Sequence, residues 1–399
     1  MARPLLAIFV VAAIALFALA LYAGRSRAPQ TVRTTLSLAD VLVTGDTAGY
    51  AMAAGSRDFR FPDDHASHPG FRTEWWYVTG HLETEDGRRF GYQLTFFRSA
   101  LAPPSDSPER LSAWSARQAW MAHFALSDAE AGRFHAFERF ARGALGLAGV
   151  TSSPLRVHVE DWSIESVPDS YAFPVRLRAA DGPVAIDLIL NAGKPPVLHG
   201  GDGLSRKGPE PGNASWYYSL TRMPTTGTVR IEDRTYPVSG SSWLDREWST
   251  NALRAGLDGW DWFALQLDDG SELMLYRLRR AGGATDPFSA GTFSAADGTT
   301  FSIAANEFTI ESTASWASPI GGTEYPSAWR IRVPALEMDL ELEPLLSGQE
   351  LDLTIRYWEG AVGIRGVRER MPVHGRGFVE MTGYAPASGA RGVPDRSER

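Results

Sequence analysis

Two aromatic strand–turn–strand segments do most to limit what this chain can become. In the first, Thr73-Glu-Trp-Trp-Tyr-Val-Thr-Gly-His-Leu82 carries the aromatic and β-branched residues that suit a pleated surface. Asp86-Gly87 supplies a turn, and Phe90-Gly-Tyr-Gln-Leu-Thr-Phe-Phe97 returns. The second runs Gly259-Trp-Asp-Trp-Phe-Ala-Leu-Gln-Leu267, Asp269-Gly270, Glu272-Leu-Met-Leu-Tyr-Arg-Leu278. Both set an acidic residue beside tryptophan ahead of an Asp-Gly turn, about 186 residues apart, which reads as a degenerate internal duplication. In the first strand, alternation puts Glu74, Trp76, Val78 and Leu82 on one face and Trp75, Tyr77, Thr79 and His81 on the other. Both faces are partly apolar, as in a sheet that covers an interior and also packs against something else.

The rest of the chain follows the same texture. Short strands are expected at Leu155–Ile164, Ala172–Ala179, Val184–Leu190, Trp216–Arg222 and Thr228–Ile231, and again from Phe301 to Thr382. Such a run indicates an all-β barrel or sandwich architecture. One helix is predicted over Asp128–Leu147, where Phe134, Phe137 and Phe140 recur every third residue between charges. A long Gly/Pro loop, Leu198 to Asn213, is expected to be ordered and to lie near the seam between two domains.

Leu5 through Ala23 is apolar without a break, which suits either a membrane-anchoring helix or the core of a cleaved signal peptide. Either reading places the protein outside the cytoplasm: periplasmic, secreted or anchored to the inner membrane. The expected division is a leader at 1–28, a linker at 29–56, domains at 57–235 and 236–385, and a disordered tail at 386–399. The absence of cysteine excludes disulfides, thiolate metal sites and a cysteine nucleophile. The net charge of −8, without a basic run beyond the N-terminus, argues against nucleic acid as a partner. There is no Gly-x-Ser-x-Gly elbow, no phosphate-cradling glycine loop and no His-x-His or His-Glu-x-x-His spacing, so no cofactor and no metal is expected.

The densest chemistry lies in Ser241-Ser-Trp-Leu-Asp-Arg-Glu-Trp-Ser249. As a strand it puts Trp243, Asp245 and Glu247 on one face, with Leu244, Arg246 and Trp248 on the other. Burial among tryptophans would hold one carboxyl in its neutral, proton-donating form, while a neighbouring arginine would keep another ionised. Asp261, between Trp260 and Trp262, is a second candidate donor. The competing reading is a structural ion pair of Arg246 with Asp245, Glu247 or Glu74 that locks two sheets together.

The chain resembles the AttH-like, lipocalin-like family that includes the carotenoid 1,2-hydratases, over roughly Asp58 to Tyr384. The resemblance rests on His68-Pro-Gly-Phe-Arg-Thr-Glu-Trp-Trp-Tyr-Val-Thr-Gly80, the Leu198-His-Gly segment through Gly208, and Trp243 to Ser249. Gly259 to Phe263, Tyr357-Trp-Glu-Gly-Ala-Val362 and Gly377-Phe-Val-Glu-Met-Thr-Gly-Tyr384 complete it. It implies two tandem lipocalin-like antiparallel β-barrels, preceded by the N-terminal apolar helix, with a site near their interface. In the hydratases an acid protonates an isoprenoid double bond, aromatic faces stabilise the cation and water captures it.

On this chain the resemblance makes Asp245 and Asp261 the candidate catalytic acids. The expected ligand contacts are Glu74, Trp76, Trp243, Arg246, Glu247, Trp248, Trp260, Trp262 and Tyr276. Arg246 stands where the hydratases carry histidine, and arginine delivers no proton at neutral pH. Binding of a hydrophobic small molecule, such as a lipid or isoprenoid, is therefore the first expectation, with a membrane transporter permease as a partner. A hydratase-type lyase is the second, and a purely structural scaffold the third.

Overall fold

A computed structural model describes residues 47–104, 116–251 and 256–385. The leader at 1–28, most of the linker and the tail at 386–399 lie outside the described residues. The described part is all-β, with single 3-10 turns at Asp63–His65 and Pro334–Leu336.

The first sheet has 13 strands. β1 (Thr73–Glu83), β2 (Arg89–Ala100), β3 (Gln118–Asp128) and β4 (Arg133–Arg142) form a meander. β5 (Ala148–Ser152), β6 (Leu155–Val159), β7 (Trp162–Ser166), β8 (Val175–Asp181) and β9 (Val184–Leu190) form a second. The short β10 (Val197–Leu198) and β11 (Leu204–Arg206) flank the long β12 (Ala214–Ile231), and β13 (Arg234–Ser249) returns to pair with β1. β6 packs back against β2, β3 and β4, curling the sheet nearly shut around a core that includes Val78, Leu94, Phe124, Trp162 and Leu188.

The second sheet has 10 strands and curls less completely. β14 (Leu257–Leu267), β15 (Glu272–Arg280), β16 (Ala290–Ser294) and β17 (Thr300–Ala304) form its meander. β18 (Thr309–Ala317), β19 (Glu324–Val333), β20 (Met338–Pro344), β21 (Glu350–Asp352), β22 (Arg356–Arg368) and β23 (Met371–Met381) complete it. In each sheet the last long strand closes antiparallel onto the first: β13 on β1, and β23 on β14. The two aromatic hairpins, β1–β2 and β14–β15, therefore hold equivalent places, as a duplication requires.

The two sheets face one another through Tyr77, Tyr217, Trp243, Trp262, Tyr276 and Phe378. Polar clasps span the seam. Glu272 of β15 accepts from Arg222 at 2.6 Å and Lys194 at 2.8 Å, and His81 meets the Gly377 carbonyl at 2.7 Å.

Three expectations need correction. Residues 128–147 hold no helix: β4 pairs along its length with β3. Strand alternation turns Phe137 and Ala141 toward the core, while Phe140 is exposed. A spacing of three between phenylalanines imitates a helix while serving the two faces of an edge strand. The strand pairing divides the chain between Ser249 and Leu257 rather than at 235/236, because β13 belongs to the first sheet. The end of the expected linker is packed: Ala53 is buried, and the Ala51 amide donates to Gly70 at 2.8 Å.

Candidate active site between the two sheets

Cross-strand register assembles the site. Across β12–β13–β1–β2, one row reads Tyr217, Glu247, Trp75 and Phe97, and the next reads Ser219, Asp245, Tyr77 and Thr95. Across β15–β14–β23–β22 on the facing sheet, a row reads Tyr276, Trp262, Glu380 and Glu359. Neighbours in such rows stand side by side on one face. Between the facing rows lies a partly open, mainly apolar cavity of about 80 Å³. That is room for about two or three waters, or for a small branched alkenyl group, with the rest of a larger ligand reaching out through the open side. Trp75, Phe97, Trp260, Trp262 and Tyr276 wall it, and Asp245, Glu247, Glu380 and Lys207 carry its charge.

Both oxygens of Asp245 are engaged. Oδ2 accepts from Tyr217 Oη at 2.6 Å; Oδ1 accepts from Trp243 Nε1 at 2.6 Å and from Ser219 Oγ. Burial nevertheless drives the Asp245 pKa up to about 7, with the nearby charge of Glu247 adding to it and the three donors restraining it. Ser219 gives its proton to Asp245, so it accepts from His199 Nε2 at 2.6 Å; His199 Nδ1 meets Thr292 Oγ1 of the second sheet at 2.9 Å. Burial, reinforced by Lys207, lowers His199 to about 3, so the ring is neutral and serves as a strut.

Glu380 is the counterpart on the other sheet. Its Oε1 accepts from Trp260 Nε1 at 2.6 Å, and its Oε2 has no partner among the described residues. Burial raises its pKa to about 7, with Asp245 and Glu247 adding and Trp260 opposing. Behind it sits Glu359, which accepts from Tyr77 Oη at 2.5 Å. Burial and then the charge of Glu380 push Glu359 well above the usual carboxylate range. The two acids occupy matching positions. Trp243-Leu244-Asp245 on β13 opposes β1, and Phe378-Val379-Glu380 on β23 opposes β14, with Asp245 across from Tyr77 and Glu380 across from Trp262. Each sheet thus lines the cavity with one carboxyl that burial has raised to about 7.

The expected site residues divide between two places. Asp245, Glu247, Trp260, Trp262 and Tyr276 line the cavity, and Trp243 orients Asp245 at its edge. Glu74, Trp76, Arg246 and Trp248 face away from it, into the first sheet's interior. There Glu74 accepts from Arg246 at 3.0 Å and from Arg98, while the Arg246 guanidinium lies 3.9 Å from the Trp76 ring centre and Trp248 stacks on His68 at 3.7 Å. Asp261 is also on the far face of its strand, paired with Arg277 at 2.5 Å and bonded by Tyr384 at 3.0 Å. Its carboxylate is a structural ion-pair member and does not line the cavity.

Sequence reasoning overlooked Glu380, Glu359, Lys207 and Tyr217. Glu380 and Glu359 carried a usable signal, a single carboxylate in an apolar run.

Two curled antiparallel sheets with a cavity at their seam define the β-barrel, lipocalin-like class. Within that class the chain belongs to the AttH-like family, whose model matches residues 52–384. The crystal structure of an AttH candidate from Nitrosomonas europaea superposes with a TM-score of 0.75 at 33% identity, covering 84% of this chain and 100% of that one. Kievitone hydratase of Fusarium solani subsp. phaseoli is 24% identical over 245 residues, spanning 59% of this chain and 68% of the relative. The crystal structure of kievitone hydratase from Nectria haematococca shares the fold, with a TM-score of 0.63 at 16% identity over 86% of this chain and 98% of that one.

Proposed function

We propose that this protein is a hydratase-type lyase that adds water across a carbon–carbon double bond held between the two sheets. The observation that carries this reading is the pair Asp245 and Glu380, both poised near pH 7 at an aromatic-walled cavity. General acids and bases work best when their pKa lies near the operating pH. The open Glu380 oxygen donates a proton to one alkene carbon, and the double bond's electron pair forms the new C–H bond. The tertiary cation left on the other carbon is stabilised by the faces of Trp260, Trp262 and Trp75. Water attacks that carbon and gives up a proton to the ionised Asp245, so the sum is alkene plus water to alcohol. Exchange of one proton from Asp245 back to Glu380 through solvent resets the site. Kinship with kievitone hydratase supports the reaction class. An isoprenoid substrate and a location outside the cytoplasm rest on the family resemblance and the apolar leader.

The test is incubation of the full chain with branched alkenes in heavy-oxygen water, followed by mass spectrometry. Labelled alcohol with the native protein and its formation at least about 10²-fold slower with Glu380→Gln supports the reading; absence of label from every alkene removes it. Carriage of an apolar molecule without chemistry is the second reading, favoured by the apolar lining. It predicts that ligand affinity survives Asp245→Asn and Glu380→Gln with no label in any product.

A further inference from the structure

Lys207 is the one cation among the described residues lining the cavity. It sits in the segment joining β11 to β12, where its backbone amide donates to the Asn213 carbonyl at 2.7 Å and fixes its place. The side chain is 9% exposed. Its Nζ stands 3.8 Å from the Tyr276 ring centre and 5.4 Å from that of Tyr217. The nearest carboxylate oxygen, Glu247 Oε1, is 3.5 Å away and already accepts from Ser215 Oγ. No hydrogen bond leaves Nζ among the described residues. An ammonium has three donors, and burying them without acceptors is costly. The aromatic faces and the Glu247 carboxylate balance its charge and leave ammonium donors turned to the cavity.

An oxygen acceptor entering the cavity would meet these donors, and the surrounding charge says of what kind. Glu247 already balances Lys207, while Asp245 and Glu380 add negative charge whenever they ionise. An anionic ligand would bring excess negative charge into a buried space. We propose that the cavity selects an apolar ligand bearing one uncharged oxygen acceptor, a carbonyl, ether or phenol, which takes a hydrogen bond from Lys207. This rests on the reading of the cavity as the hydratase substrate site, and it places the substrate's oxygen at the Lys207 side with the alkene at Glu380.

Three probes of one shape separate the possibilities: toluene, para-cresol and para-toluate, binding to the full chain at pH 7 and followed by ligand-observed NMR. The expected result is para-cresol binding about tenfold more tightly than toluene, the increment of a hydrogen bond to a charged group. Para-toluate should bind more weakly than para-cresol. Lys207→Met should bind toluene as the native protein does, which confirms an intact cavity, and should lose the preference for para-cresol. Equal binding of toluene and para-cresol to the native protein, tighter binding of para-toluate, a preference that survives Lys207→Met, or no binding by any probe overturns the proposal. Because binding is read without turnover, absence of oxygen label in the hydration assay would sink the reaction and leave this result intact.

Discussion

The strands β1 and β13 carry a buried charge cluster on each face, and the two clusters are built oppositely. Toward the first sheet's interior, Glu74 meets two guanidiniums, Arg98 and Arg246, and accepts further from Ser67 Oγ at 2.6 Å and the His68 amide at 3.0 Å. Burial alone would raise its pKa; the hydrogen bond with His68 and the charges of Arg98 and Arg246 overcome this and hold it well below the usual range. Toward the cavity, Asp245, Glu247, Glu380 and Glu359 share a single lysine, and burial wins at Asp245, Glu380 and Glu359. The same residue type at the same depth becomes a fixed anion or a proton carrier according to how many cations accompany it. A paired cluster holds a sheet together, whereas an acid-rich one is poised for proton transfer.

The comparison breaks most sharply in catalysis. Glu380→Gln keeps shape and removes the proton, and should slow hydration by about 10²–10⁴-fold in initial-rate measurements. Its melting temperature should be almost unchanged at about pH 4, where the native carboxyl also carries its proton. Arg246→Met breaks the other cluster by leaving Glu74 with one cation fewer, and should cost about 3–5 kcal/mol in denaturant unfolding. A smaller loss than that of Asp245→Asn would invert the assignment of structure to one face and chemistry to the other.

The pH dependence sharpens the same contrast. Asp245 and Glu380 have folded pKa values above their unfolded ones, so their stabilising effect is complete below about pH 4 and is lost as pH rises through about 7. The loss is on the order of 3 kcal/mol for each group. The double variant Asp245→Asn, Glu380→Gln should flatten that decline in unfolding measured from pH 4 to 8. Asp64 behaves in reverse. Hydrogen bonds from His68, Arg60 and Arg57 outweigh its burial and hold it at about 2, so its contribution is present above about pH 4 and fades as pH falls toward 2. The smallest effect is expected at Trp243→Phe, which removes one donor to Asp245. The Asp245 pKa should rise by less than about one unit, seen as a displaced limb in the pH–rate profile.

Much of the fold is legible because strand alternation and Asp-Gly turns are local signals. The hairpins β1–β2 and β14–β15 fall where their aromatic runs place them. Glu160 at φ 56° splits the expected Leu155–Ile164 strand into β6 and β7, since a non-glycine residue in the left-handed region gives no compositional sign. Half the site is equally local: alternation within Trp243–Trp248 correctly separates Asp245 and Glu247 from Arg246. Applying the same rule to Trp260-Asp261-Trp262 would have turned Asp261 away from its tryptophans, toward Arg277. Glu380 and Lys207 join the site only through the pairing of β23 with β14 and the course of the β11–β12 segment. Those are long-range facts that no window of sequence contains.

The most direct test is a carboxyl titration by difference infrared spectroscopy, comparing the native protein with Asp245→Asn and with Glu380→Gln between pH 4 and 9. Each variant should remove a protonated-carboxyl band that disappears with a midpoint near pH 7. If both carboxyls are already ionised at pH 5, the cavity holds no protons to give, and it is a charged seam rather than an acid–base site.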